Sequence, residues 1–213
     1  MPLYFLSDSK QPIKNDKKEL KFIHITKNAG SFIEHIGKEN EIKWGKYHAE
    51  DGRNRHHVQF SKKPESYRNK YVWFAISRNP YTRILSEYYC YWGGIGYEKI
   101  NHETIEEFNE FVRMKIETRN ENPHWFGHWI EQTKFIHQDN DIYIIKFENL
   151  NIELIKLFDL FHINIDPNIY KKQNISDKMG KKFTVEDFDK KTIELINTVY
   201  IDDFKTFGYE MKL

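Results

Sequence analysis

Three short apolar runs, each followed by a loop and a helix-like pattern, organise the chain. The runs are 21–26, 71–77 (YVWFAIS) and 141–147 (DIYIIKF). Continuous apolar runs of this length are typical of buried parallel strands, which lack the alternation of half-exposed strands. The segments with helical spacing that follow them are 31–39, 80–92 and 150–161 (LNIELIKLFDLF). This alternation predicts an α/β fold with a parallel, doubly wound sheet.

Two further helices carry local signals. The segment 104–119 is amphipathic, with one apolar face formed by Ile105, Phe108, Val112 and Ile116. Thr184 and Asp187 have the spacing of a capping box, which predicts a last helix over 185–199.

Length and charge bound the possible functions. A chain of 213 residues fits one domain, and we interpret residues 1–20 as a polar lead-in and 21–213 as that domain. Lys and Arg number 33 against 32 Asp and Glu, so no global field favours nucleic acid and any anion site must be local. The single cysteine, Cys90, excludes an internal disulfide. No apolar run approaches the roughly 20 residues of a membrane span, and Met1–Gln11 is too polar for a signal peptide. We therefore expect a soluble, cytoplasmic protein.

Two predicted strand ends carry groups suited to anions. Thr26–Ser31 joins a strand to a helix with one lysine and one glycine, a layout that directs backbone N–H groups at an anion. The P-loop pattern G-x-x-x-x-G-K-[ST] is absent. Arg78 leaves the second strand, Asn79 and Pro80 can start the following helix, and Ser86 lies on it. Ligands of such sheets bind at the carboxyl ends of strands. A ligand with two separate anionic groups, such as 3'-phosphoadenosine-5'-phosphosulfate (PAPS), fits this pattern.

Both stretches resemble motifs of the PAPS-dependent sulfotransferases. FIHITKNAGSFIE resembles their 5'-phosphosulfate loop, H-I-P-K-T-A-G-T-S, and AISRNPYTRILSEYY resembles their 3'-phosphate motif, R-[DN]-P-x-x-R-x-x-S-x-Y. HWIEQTKFI, IIKFENL and VYIDDFKTFGY are similar to later segments of the same family, in its carbohydrate O-sulfotransferase branch. The resemblance spans roughly 21–210, with 38–70 and 93–123 poorly covered. Thr26 stands where the family usually has proline, and Asn28 where it has threonine.

The resemblance implies a role for each matching residue. Lys27 is expected beside the oxygen that bridges phosphorus and sulfur, where it stabilises the charge of the leaving group. The N–H groups around the 5'-phosphate are those of Asn28, Ala29, Gly30, Ser31 and Phe32, and Ser31 adds a hydroxyl. Arg78 and Ser86 are expected to hold the 3'-phosphate. Asn174 and Ser176 lie where relatives return a loop over the nucleotide. No metal is required. Arg83 is expected to brace its helix through Glu87.

The acceptor hydroxyl needs a general base, and histidine is the usual one at neutral pH. His57 lies 21 residues before Arg78 and is followed by Val58-Gln59-Phe60, which resembles the family's [GW]-H-x-x-[FY]. His48, followed by alanine, is the second candidate and His56 the third. Each of these histidines could instead lie on a charged surface loop.

The resemblance implies an acceptor that is a hydroxyl-bearing small molecule or a glycan. Arg53, Arg55, Lys62 and Lys63 could form a basic cleft for a glycan or simply a solvated loop. His124, Trp125 and His128 could line the acceptor cleft or pack elsewhere. Tyr88 and Tyr89 are expected to pack in the core. For Tyr91 and Trp92 the sequence allows either packing in the core or stacking on a sugar.

Two other classes compete with this interpretation. A P-loop-like kinase or NTPase would need the missing GK[ST] loop and an acid that holds Mg²⁺. A non-catalytic module that binds 3'-phosphoadenosine-5'-phosphate (PAP) is the other alternative. The sequence does not determine the acceptor or the oligomeric state.

Overall fold

The described part of the chain contains a four-stranded parallel sheet and eight α-helices. We describe it from a computed structural model, which covers residues 3–6, 19–44, 60, 64–98, 101–121, 127–136, 142–170 and 182–213. The described strands are β1 (Leu3–Phe5), β2 (Leu20–Ile23), β3 (Val72–Ser77) and β4 (Ile142–Lys146). All neighbouring pairs are parallel, and the order across the sheet is β1-β4-β3-β2. The predicted α/β class with a parallel sheet is confirmed.

The described helices fall into two compact units. They are α1 (Gly30–Glu39), α2 (Glu65–Arg68), α3 (Pro80–Tyr88), α4 (Ile95–Glu98), α5 (Ile105–Glu117), α6 (Leu150–Leu160), α7 (Lys190–Val199) and α8 (Ile201–Phe207). The first unit comprises Met1–Arg78 and Lys134–Gln173, and the second comprises Asn79–Thr133 and Asn174–Leu213. None of the helices in the described ranges is long and apolar enough to cross a membrane.

In the first unit, the sheet is buried on both faces. One face contributes Phe22, Phe74 and Tyr143, which lie in register across β2, β3 and β4, to a core shared with α1 and α6. Ala75 and Ile144 on the opposite face are also fully buried. Burial on both faces explains why these strands are continuously apolar in sequence.

Strand β1 lies inside the segment interpreted as a polar lead-in. Leu3, Tyr4 and Phe5 pair with Ile142, Tyr143 and Ile144 of β4, so this part of residues 1–20 belongs to the sheet. Three residues are too few to show a period, which is why the pattern did not predict a strand there. The domain boundary at residue 21 stays a prediction.

The second unit is built from α3, α5, α7 and α8 around an aromatic core. Asn79 caps α3 by accepting a hydrogen bond from the Tyr81 N–H (3.0 Å), and Pro80 is the first helical residue, as predicted. Tyr88 and Tyr89 are buried in this core, which confirms their packing role. Helix α3 ends at Tyr88, before the predicted end near residue 92, and Tyr91 and Trp92 are exposed.

Two helix predictions need correction. Ile105, expected on the apolar face of α5, is 52% exposed because it is the first residue of the helix, and Phe111 is buried instead. The predicted capping box of Thr184 and Asp187 is present, but it starts a single 3₁₀ turn. Helix α7 begins only after Asp189, whose carboxylate accepts from the Thr192 N–H (2.7 Å).

Candidate functional site

The loop after β2 has an unusual backbone. Lys27 and Ala29 have φ angles of 60° and 59°, in the left-handed region that residues with side chains rarely adopt. Thr26 and Asn28, on either side of Lys27 in the chain, are fully buried, whereas Lys27 is only half-buried. Such strained backbone is concentrated at functional sites and needs support from its surroundings. Burial thus alternates along the loop, so that Lys27 faces outward while Thr26 and Asn28 anchor the loop.

Asn28 anchors the loop to the neighbouring strand. Its side-chain N–H donates to the carbonyl oxygen of Ile76 in β3 at 2.6 Å. The backbone N–H of Asn28 donates within the loop, to the Ile25 carbonyl at 3.4 Å. Both bonds are local to the first unit, and they fix the loop to the middle of the sheet.

The start of α1 presents backbone donors. Ala29 precedes the helix without a capping side chain, and the first turn contains no acidic residue. The Phe32 N–H donates to the Ala29 carbonyl at 3.0 Å. In the part of the chain that the structure describes, the N–H groups of Ala29, Gly30 and Ser31 donate no hydrogen bond. Unsatisfied N–H groups at a helix N-terminus, together with the helix dipole, favour an anion at this position.

Arg78 joins the loop to the ends of two other strands. It follows β3 directly, and its Nη1 donates to the carbonyl oxygen of Lys27 at 3.0 Å. Its guanidinium stacks on the ring of Phe147, which follows β4, with 4.2 Å between the guanidinium carbon and the ring centroid. The residues that follow β2, β3 and β4 are therefore in contact at one edge of the sheet. A guanidinium carries five N–H donors in a planar fork, a geometry that suits a phosphate or sulfate group.

Glu153, which the sequence analysis did not single out, fixes the end of β4. Its carboxylate accepts from the Lys146 backbone N–H at 2.7 Å and from the Asn149 side chain at 3.4 Å. These bonds position the turn that contains Phe147. A signal was present in the sequence, because a carboxylate inside an apolar helix pattern needs a partner.

The predicted ion pair on α3 is confirmed and extends further. Arg83 Nη2 lies 3.4 Å from Glu87 Oε1, and His128 Nδ1 lies 2.6 Å from Glu87 Oε2. All three side chains are buried in the second unit. Burial disfavours the charged imidazole, but the Glu87 carboxylate and the Cys90 side chain outweigh burial and raise the pKa of His128 to about 10. His128 therefore packs inside the unit as an imidazolium.

Glu87, Cys90 and His128 also have metal-ligand chemistry. Each offers one ligand atom, and these atoms lie within 4.8 Å of one another. His128 Nδ1, however, already contacts the Glu87 carboxylate at 2.6 Å. The carboxylate of Glu87 already contacts two cations, and Arg83 would repel an added metal ion. The arrangement therefore favours a buried ionic network.

Two later family-like segments form a structural contact within the second unit. Asp203, from VYIDDFKTFGY, accepts hydrogen bonds from the backbone N–H groups of Gln132 (2.8 Å) and Thr133 (2.9 Å) in HWIEQTKFI. Tyr200 donates its hydroxyl hydrogen to the Trp129 carbonyl. The two segments therefore stabilise each other.

Ser86 lies half-buried on α3 in the second unit. The remaining predicted site residues are outside the described ranges. They are the base candidates His48, His56 and His57, the nucleotide-loop residues Asn174 and Ser176, and the possible acceptor residues Arg53, Arg55, Lys62, Lys63, His124 and Trp125. Their roles stay predictions.

Comparison with known proteins identifies a family. The model of a family described as the sulfotransferase family matches residues 3–210, almost the whole chain. No curated protein and no solved structure matches.

Proposed function

The chain belongs to the sulfotransferase family, and from this premise we propose that it transfers the sulfuryl group of PAPS to a hydroxyl acceptor. The acceptor in this proposal is a carbohydrate or another hydroxyl-bearing molecule. Family membership supports sulfuryl transfer in general. The choice of PAPS, the acceptor and the residue roles are our proposal.

The observation that carries the proposal is the loop between β2 and α1. It combines outward-facing Lys27 with the N–H groups of Ala29, Gly30 and Ser31 at the start of a ten-residue helix. In the described part of the chain, the Lys27 ammonium has no hydrogen-bond or ion-pair partner. A cation and several N–H donors at one point suit a phosphosulfate, which carries negative charge on both of its ends.

Transfer breaks the bond between sulfur and the bridging oxygen of PAPS and forms a bond between sulfur and the acceptor oxygen. The bridging oxygen leaves with the electron pair, as part of the 5'-phosphate of PAP. Lys27, placed beside that oxygen, stabilises the transition state more than the ground state because the charge develops there during bond breaking. In this scheme no step requires a metal ion.

The acceptor hydroxyl loses its proton to a general base as it attacks sulfur. We assign this role first to His57, with His48 as the second candidate and His56 as the third, on the strength of the sequence resemblance. The same resemblance supports Arg78 and Ser86 as ligands of the 3'-phosphate, and Asn174 and Ser176 as nucleotide contacts.

Thermal melting with PAP, ATP and GTP tests the nucleotide assignment. A ligand that binds only the folded state raises the melting temperature by mass action, so PAP should stabilise the chain and ATP and GTP should not. Arg78→Ala should abolish most of the PAP shift, since it removes a 3'-phosphate ligand and also the bond to the Lys27 carbonyl. Equal stabilisation by ATP and PAP would favour a kinase or NTPase, and no shift with PAP would contradict the proposal.

A transfer assay with radiolabelled PAPS and a panel of glycans separates the catalytic roles. Lys27→Ala should weaken both PAP binding and transfer, whereas Lys38→Ala, at an exposed lysine in the last turn of α1, is the matched control. His57→Ala should leave PAP binding nearly intact and lower transfer by roughly 10²–10⁴-fold. If His48→Ala is inactive and His57→Ala is active, His48 is the base. PAP binding without transfer to any acceptor would indicate a non-catalytic module.

A further inference from the structure

The imidazole of His24 occupies the space beside Gly30. A Cβ atom built on Gly30 would lie 2.0 Å from His24 Nε2, 2.2 Å from Cδ2 and 2.3 Å from Cε1. These distances are far shorter than van der Waals contact, so no side chain fits at position 30 while the ring is in place. Gly30 is a helical residue and is not among the residues with positive φ. Contact with His24, not backbone conformation, therefore explains the glycine.

Glu34 fixes the orientation of this ring. His24 Nδ1 lies 2.7 Å from Glu34 Oε1, and both side chains are largely buried, at 11% and 4% exposure. The hydrogen bond between these two atoms holds the imidazole in one orientation. Glu34 lies four residues after Gly30, one turn further along α1. The ring of Phe22 in β2 also packs against the imidazole, with 5.7 Å between ring centroids.

His24 thus connects the end of β2 to the first two turns of α1. Its ring contacts Gly30, whose N–H belongs to the donor set at the helix start, and its Nδ1 bonds to the next turn. Any shift of the first turn against the strand would require this ring to move. The loop residues Thr26 to Ala29 therefore lie between two segments that His24 connects, the end of β2 and the first turns of α1.

We propose that His24 is a positioning residue of the anion loop. Acting through Gly30 and Glu34, it keeps the N–H groups of Ala29, Gly30 and Ser31 directed at the same point as Lys27. This inference rests on the proposed function. His24 is not assigned to contact the nucleotide or the reacting atoms, so its effect is on the geometry of the loop.

Calorimetric titration with two nucleotides tests the proposal. PAP carries the 5'-phosphate that the loop would bind, whereas adenosine 3'-monophosphate lacks it. His24→Ala and Glu34→Ala should weaken PAP binding by roughly tenfold to a hundredfold, the scale expected when a hydrogen bond to a charged phosphate is lost. Affinity for adenosine 3'-monophosphate should stay at the wild-type value. Glu34→Gln, which keeps an acceptor for Nδ1, should restore PAP binding to near the wild-type value.

The matched control is His35→Ala, a partly exposed histidine on the same helix that lies 3.9 Å from Glu39. It should leave both affinities unchanged. Wild-type PAP affinity in His24→Ala, or an equal loss for both nucleotides, would overturn the positioning role. If the wild-type chain binds no PAP at all, the proposed function itself fails, which is a distinct outcome.

A double variant makes the test independent of global unfolding. Gly30→Ala places a methyl group on the imidazole and should weaken PAP binding, whereas His24→Ala combined with Gly30→Ala removes that clash. The double variant should therefore bind PAP better than Gly30→Ala alone, a non-additive result for residues in contact. Additive losses would show that the contact between His24 and Gly30 does not control the loop.

Discussion

Raising the pH should remove a defined part of the folding stability through His128. The ordinary pKa of histidine is 6.5, and the buried contact with Glu87 raises the folded value to about 10. The folded chain therefore binds one proton more than the unfolded chain between these two values. A raised folded pKa means that the stabilisation is fully present below pH 6.5 and is lost as the pH rises through about 10.

The size of the effect follows from the same two pKa values. Within the window, the free energy of unfolding should fall by about 1.4 kcal/mol for each pH unit. Over the whole window the loss amounts to about 5 kcal/mol, a large fraction of the 5–15 kcal/mol typical of a folded domain. The cause is the pairing of the imidazolium with the carboxylate of Glu87, which is fully buried and also contacts Arg83.

Urea unfolding at several pH values from 6 to 9.5 measures this slope. Tryptophan fluorescence and far-UV circular dichroism should be recorded together, because coincident transitions justify two-state analysis. The glutamine of His128→Gln can still donate a hydrogen bond to Glu87 but does not titrate. The unfolding free energy of this variant should therefore fall less steeply with pH than that of the wild-type chain. Cys90→Ala keeps the histidine–carboxylate pair and should retain most of that slope. Parallel stability curves for the wild-type chain and His128→Gln would show that His128 is neutral in the folded state and refute the reasoning.

Two further predictions concern the backbone. Asn28→Ala removes the hydrogen bond to the buried Ile76 carbonyl. The free energy of unfolding measured with urea should fall by about 1–3 kcal/mol, and PAP binding measured by calorimetry should weaken. Unchanged PAP affinity would show that this hydrogen bond is not needed to hold the loop. Gly208 ends α8 with a φ of 63°. Gly208→Ala should therefore lower the free energy of unfolding by about 1 kcal/mol and lower the melting temperature. Gly208→Asn should lower both by less, because asparagine tolerates this conformation better than alanine. Equal melting temperatures for the two variants would contradict this account of the helix end.

The sequence was sufficient for elements with strong local signals. The buried strands at 72–77 and 142–146 and the start of α3 at Asn79 and Pro80 agree with the structure, since apolar runs and caps depend on nearby residues only. β1 and α8 were missed because three residues show no period and because α8 follows α7 after a single non-helical residue, Tyr200.

The contacts around the candidate site were not predictable from the sequence, and the roles of its residues stay predictions. The loop motif drew attention to Lys27 and the second motif to Arg78, and parallel pairing places the ends of their strands at one edge of the sheet. The bond from Arg78 to the Lys27 carbonyl and the packing of His24 against Gly30 join residues that local patterns treat separately. Contacts of this kind depend on tertiary structure, so propensity and spacing give no signal for them.

The two departures from the family motif, Thr26 and Asn28, are explained by the same geometry. A proline at position 26 would restrict the unfolded backbone and contribute about 0.4–1 kcal/mol to the stability of the loop. Here Thr26 is buried, and Asn28 donates a buried hydrogen bond to Ile76, a contribution of about 0.5–1.5 kcal/mol. Arg78 adds a second bond, to the carbonyl of Lys27 itself. Since these contributions are of similar size, the side-chain contacts can replace the rigidity of the missing proline and maintain the left-handed conformation that turns Lys27 outward.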